Sequence, residues 1–195
     1  MQVYKKLNPA FKDLYDGADM LSLKGGSSMS QQSCLVYIRL TRSGTWFSRL
    51  IHWVTAERYT HAAIGLDGPQ GPFYSFARKD PRFALPAGLV EEGAVARGVP
   101  GCLYELEVSP QVYHRLREMV ESMYRRREEF HYNLAGVLAC WFHCPLHRSR
   151  HYFCSQFVAC LLEESGAVEL GKSPDLVRPA DFCTLSRLRP VAAVG

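Results

Sequence analysis

Residues 151–166 read HYFCSQFVACLLEESG, and the fold turns on how this stretch is taken. Phe157, Val158, Leu161 and Leu162 recur at the spacing of one helix face, so an amphipathic helix is expected from about Cys154. Gly166 is suited to the left-handed conformation just past a helix end. Cys154 therefore falls in the first turn, where backbone N–H groups lack intrahelical acceptors and the helix dipole favours negative charge. A thiol so placed has a lowered pKa and is a usable nucleophile, and its own N–H can stabilise an oxyanion. The plainer alternative is a buried cysteine on the inner face of the helix.

A nucleophilic thiol needs a base, and the sequence offers His61 at the head of HAAIGLD (61–67). This stretch reads as a strand, followed by the turn GPQGP and a second strand, FYSFAR (73–78), in a hairpin. Alternation puts His61, Ala63 and Gly65 on one face and Ala62, Ile64 and Leu66 on the other. The small residues behind His61 predict that the helix and its thiol approach from that side. A third group orients an imidazole through its other nitrogen. One turn register gives this place to Ser75; a one-residue slip presents Tyr74, Phe76 and Arg78 instead. Asp67, Glu91 and Glu105 are further candidates, and a lone satisfied core histidine is the plainer reading of His61.

Outward from these two segments, CLVYIRL (34–40) has the composition of a strand, and TWFSRLIHWVTA (45–56) has helical spacing with Thr45 as a cap. Residues 80–101 are rich in Pro and Gly, with a short strand around Leu89 to Glu91. CLYELEV (102–108) alternates as a half-solvated antiparallel strand. Ser109-Pro110 is an N-cap and first-turn proline for a helix that buries Val112, Leu116, Met119, Val120 and Met123. YNLAGVLACWF (132–142) is apolar nearly all round and is expected to be a buried helix. PDLVRPADF is a crossing segment leading into a short helix capped by Asp181.

The whole chain has 195 residues, 47% hydrophobic and 22% charged, with a formal net charge of +4. This suits one ordinary core and does not call for a nucleic-acid partner. No apolar run approaches the ~20 residues of a membrane helix. The opening MQVYKKLNPAFKDLYDG lacks the pattern of a secretory signal, so a cytoplasmic protein is expected. Residues 1–32 end in the Gly/Ser-rich SLKGGSSMSQQS and read as a partly flexible extension; residues 33–195 form the domain. The seven cysteines are odd in number and mostly in apolar surroundings, and about five are expected to be small buried hydrophobes.

RLTRSGTWFSRLIHWVTAERYTHAAIGLD, FYSFARK, HYFCSQFVACLLEESG and LVRPADF together resemble the permuted branch of the NlpC-type papain-like cysteine hydrolases, the YiiX-like proteins above all. In ordinary members the cysteine helix precedes the histidine strand, whereas here His61 comes before Cys154. The resemblance covers most of residues 34–185. It implies an α+β, circularly permuted papain-like fold, with a small antiparallel sheet packed on the cysteine helix. It also implies a Cys154–His61 dyad completed by a polar residue on the strand after the histidine strand. Aligned by eye that residue is Ser75, where relatives with a strong third group carry glutamate or histidine.

The reading that follows is a thiol hydrolase cleaving an amide or ester bond, in a peptide that can be derived from cell wall, through a thioester and without a cofactor. On the same fold, lecithin:retinol acyltransferase-like enzymes move acyl groups between lipids. The aromatic stretch around Trp46, Phe47 and Trp53 is an acyl pocket or, more commonly, core. Arg39, Arg42 and Arg49 are a substrate-anion site or, as the safer assumption, a solvated basic face. A non-enzymatic rival is zinc binding by Cys140, His143, Cys144, His147, His151 and Cys154, crowded into 15 residues but without a second ligand knuckle. A catalytically silent domain that keeps the fold is a third alternative.

Overall fold

The strand expected over residues 34–40 is a central strand of the sheet. The computed structural model describes residues 33–42, 58–79, 86–93 and 99–194. β1 (Cys34–Thr41) pairs antiparallel with β2 (His61–Gly65) on one side and β5 (Gly101–Val108) on the other. Every residue from Val36 to Thr41 is buried, so both faces of the sheet are covered here. β3 (Phe73–Arg78) and β4 (Ala87–Glu92) extend the sheet beyond β2. The two-residue strands β6 (His131–Tyr132) and β7 (His151–Tyr152) and the C-terminal β8 (Leu188–Val194) complete the order β7-β6-β4-β3-β2-β1-β5-β8. Only the β6–β7 pair is parallel among these strands.

Three helices accompany the sheet in the described residues: α1 (Pro110–Arg125), α2 (Leu134–Trp141) and α3 (Cys154–Glu164). Ser109 caps α1, its Oγ accepting from the Val112 N–H at 3.4 Å, with Pro110 in the first turn. α1 buries Leu116, Met119, Val120 and Met123, while Val112 packs on the core half-buried. α3 is buried along nearly its whole length, and beyond it Gly166 turns with φ +80°. Val36, Ile38, Leu40, Ala62, Ile64, Phe76, Tyr104 and Leu106 form one core with α1 and α3. The architecture is thus α+β.

Several expectations are corrected. The helix does not approach the small-residue face of β2. Ala62 and Ile64 face α3, whereas Ala63 packs with Tyr37, Phe73 and Leu103 on the opposite side of the sheet. The small residues make room for Phe73, whose ring would lie 2.8 Å from a Cβ on Gly65. α2 is not a buried helix: only Gly136 and Cys140 are buried, while Leu138 and Phe142 are 58% and 76% exposed. It sits at the margin of the molecule and presses only its inner side on the 3-10 turn Pro174–Leu176. Asp181 does not precede its helix but lies within the 3-10 turn Pro179–Thr184, reaching back to the Arg178 N–H at 2.6 Å. β8 has no counterpart in the sequence reading, since Pro190 disguises it; an edge strand tolerates that proline. The cysteines are less buried than expected. Cys140, Cys154 and Cys160 are buried, Cys34 and Cys102 intermediate, Cys144 and Cys183 exposed, and all seven are free thiols. The helix expected over residues 45–56, with Trp46, Phe47, Arg49 and Trp53, and the extension 1–32 lie outside the described residues.

Candidate active site

β2 and β3 do not pair along their full length. Their ladder is confined to Ile64–Tyr74 and Gly65–Phe73, so the strands part toward His61. The start of α3 enters at this parting. Cys154 is the first helical residue, and its sulfur takes hydrogen bonds from the Ala62 N–H, which has no partner on β3, and from the Ser155 N–H. Three side-chain bonds fix the helix start. The Phe153 N–H donates to Gln156 Oε1 at 3.2 Å, Gln156 Nε2 donates to Asp175, and Ser155 Oγ donates to the Val177 carbonyl at 2.7 Å.

His61 bridges the parted strands. It hydrogen-bonds the Cys154 thiol on one side, and its Nε2 lies 2.6 Å from Glu92 Oε1 on the other. With Nε2 committed to Glu92, Nδ1 is the ring nitrogen left for sulfur. Glu92 ends β4 opposite Phe73, on the same sheet face as Ser75 and His61. Ser75 Oγ donates to Glu92 Oε1, and Arg39 Nη2 lies 2.5 Å from Oε2. The Arg39 fork also donates through Nη1 to the Gly93 carbonyl at 3.2 Å, and its guanidinium lies 4.3 Å over the Phe73 ring.

Electrostatics follow from this chain of contacts. Burial pulls His61 toward the neutral form, but the Glu92 charge and the bonds to Cys154 and Glu92 outweigh it and raise its pKa to about 10. Burial raises Glu92, yet His61, Ser75 and Arg39 together hold it down to about 2. Burial also raises the Cys154 thiol, and His61 with the N–H groups of Ala62 and Ser155 reverses this, so the net shift is downward. The other buried thiols go the opposite way. Burial pushes Cys140 to about 11 and lifts Cys160 well above its ordinary value. Tyr132 lies near enough for the Cys154 charge to add to burial in raising its hydroxyl.

Of the sequence candidates, Cys154, His61 and Ser75 come together, but Ser75 serves Glu92 and not His61 directly. Glu92 was missed by one residue, because the short strand around Leu89 to Glu91 continues to it. Glu91 points to the other face and bonds the Tyr74 hydroxyl. Asp67 pairs with Arg117 at 2.5 Å and Glu105 with Arg189 at 3.4 Å, both away from His61. Arg39 is not on a solvated basic face; it is 4% exposed and bound to Glu92. Among the described residues no three His, Cys, Asp or Glu side chains gather as a metal site, which leaves the zinc rival without a ligand set. No helix among the described residues is long and apolar enough to cross a membrane. No family model matches this chain, and neither a curated protein nor a solved structure matches it.

Proposed function

We propose that the protein is a cysteine hydrolase of the permuted NlpC type, with a papain-like arrangement of sheet and cysteine helix. It cleaves amide or ester bonds through Cys154, His61 and Glu92. The observation that carries this reading is the continuous contact from a helix-start thiol through an imidazole to a half-buried carboxylate. A structural cysteine has no need of a base, and a structural histidine has no need of both a thiol and a carboxylate.

In the proposed reaction the proton of the Cys154–His61 pair resides on His61, giving a thiolate and an imidazolium held by Glu92. The sulfur attacks the substrate carbonyl carbon, and the C=O electron pair moves onto oxygen. The N–H of Cys154, in the first turn of α3 where no intrahelical acceptor is available, serves as a donor to that developing charge. His61 returns its proton to the leaving nitrogen or oxygen as that bond breaks, giving a thioester on Cys154. Water then loses a proton to His61 and attacks the thioester. The acid departs, and sulfur is left as the thiolate beside the imidazolium, as at the start. Glu92 keeps the imidazole oriented throughout and stabilises it whenever it carries the proton.

The test is acylation by p-nitrophenyl acetate, followed by intact-protein and peptide mass spectrometry. The expected result is a transient single acetyl group on Cys154, absent in Cys154→Ala and strongly reduced in His61→Ala. Acetyl label spread over the exposed Cys144 and Cys183 with Cys154 untouched would sink the reading.

A further inference from the structure

Arg39 is the charged residue that the proposed reaction does not use, and it is buried. It comes from β1, separated from Glu92 on β4 by the two strands β2 and β3, and crosses the face on which these part. Its fork holds Glu92 Oε2 and the Gly93 carbonyl together, and the ring of Phe73 lies against it. A buried guanidinium loses its hydration, and this arrangement replaces part of it with one full charge, one carbonyl and one aromatic face, while Nε is left without a hydrogen-bond partner among the described residues. Along the chain the charges alternate: Arg39 positive, Glu92 negative, His61 positive, Cys154 negative. With His61 protonated, the sum is zero when the thiol is ionised and +1 when the thiol also carries a proton.

We infer that Arg39 is a positioning residue that completes a charge-neutral chain with Glu92, His61 and Cys154, and thereby extends the reactivity of the thiol into acid. The inference rests on the nucleophile reading above. Two effects run in the same direction. Arg39 favours the ionised form of Glu92, so the carboxylate stays charged and in place as the pH falls. It also adds positive charge to the site, which favours the thiolate over the thiol. Among the described residues the groups facing Glu92 are Arg39 from β1, His61 from β2 and Ser75 from β3; those facing Cys154 are His61 and, from β6, Tyr132. Arg39 is thus the one permanent cation in direct contact with the carboxylate. A merely structural arginine, stacked on Phe73 to fill the face, would leave the acid limb of thiol reactivity where it is.

The experiment measures the rate of iodoacetamide alkylation at Cys154 against pH, located by peptide mass spectrometry, in wild type, Arg39→Met and Arg39→Lys. In Arg39→Met the acid limb is expected to move up by about one pH unit, about tenfold slower alkylation near pH 5. Arg39→Lys, which keeps the charge without the fork, restores most of that loss. Wild-type Cys154 reacting no faster than Cys144 or Cys183 overturns the nucleophile reading and this inference with it. A reactive wild type whose acid limb is unmoved in folded Arg39→Met overturns the role of Arg39 alone. An equal displacement in Arg39→Lys overturns charge as the agent. Thermal unfolding establishes that each variant is folded. Arg39→Gln, which keeps a donor for Gly93, takes the place of Arg39→Met if the latter does not fold.

Discussion

Glu92 receives three donors on two oxygens: His61 and Ser75 on Oε1, Arg39 on Oε2. Glutamine at this position presents an NH2 group to at least one of those donors and carries no charge to hold the imidazolium. Glu92→Gln is therefore expected to lower the pKa of His61 and to slow Cys154 alkylation near pH 6 by about tenfold or more. Ser75→Ala removes one donor of the three and leaves the charges intact, so a loss of about fivefold, near 1 kcal/mol, is expected. An ordering with Ser75→Ala worse than Glu92→Gln would return the third position to the serine. Residue chemistry explains why the sequence led to Cys154 and His61 but stopped at Ser75. A helix start and a strand start are written in local periodicity. The partner of His61 instead depends on where β4 ends relative to β3, and no local pattern in residues 80–101 encodes that register.

At the scale of elements, α3 carries the site because its first turn is held from outside the helix. Gln156 is fully buried; it accepts from the Phe153 N–H and donates to Asp175, so one side chain fixes both the entry of the chain and the crossing segment beneath it. Gln156→Ala leaves a buried N–H without its acceptor. Urea unfolding is expected to show a loss of about 1–3 kcal/mol, with slower alkylation of Cys154 as its backbone loses definition. Full stability in this variant would show that the first turn is fixed by packing alone. Helix α1 was legible from its Ser109 cap, first-turn proline and apolar stripe, and α3 from its apolar stripe and the Gly166 that ends it. α2 was misread for the opposite reason. Its residues are apolar nearly all round, and periodicity cannot tell which side meets protein when nearly every side is apolar. In the fold it meets protein on one side only, through Gly136 and Cys140.

For the whole molecule, the ion pair across the sheet sets a pH window for stability. Glu92 is depressed from 4.5 to about 2, so its contribution is present above about 4.5 and is lost as the pH falls toward 2. His61 is raised from 6.5 to about 10, so its contribution is complete below about 6.5 and is lost as the pH rises through 10. Both are complete only between about 4.5 and 6.5. The difference in melting temperature between wild type and Glu92→Gln should be largest in that interval and shrink toward pH 10, as scanning calorimetry can follow. A difference independent of pH would assign the loss to packing.

The parting of β2 and β3 has a mechanical meaning as well. Where other neighbouring strands are stitched by backbone bonds, these two are joined near His61 by the start of α3 and by side chains that reach across from β1, β2 and β4. Backbone stitching is indifferent to protons, whereas a clasp made of imidazolium and carboxylate is not. In the proposed reaction the clasp loses one of its two charges whenever His61 gives up its proton, and the strands on either side would be freest to shift at that moment.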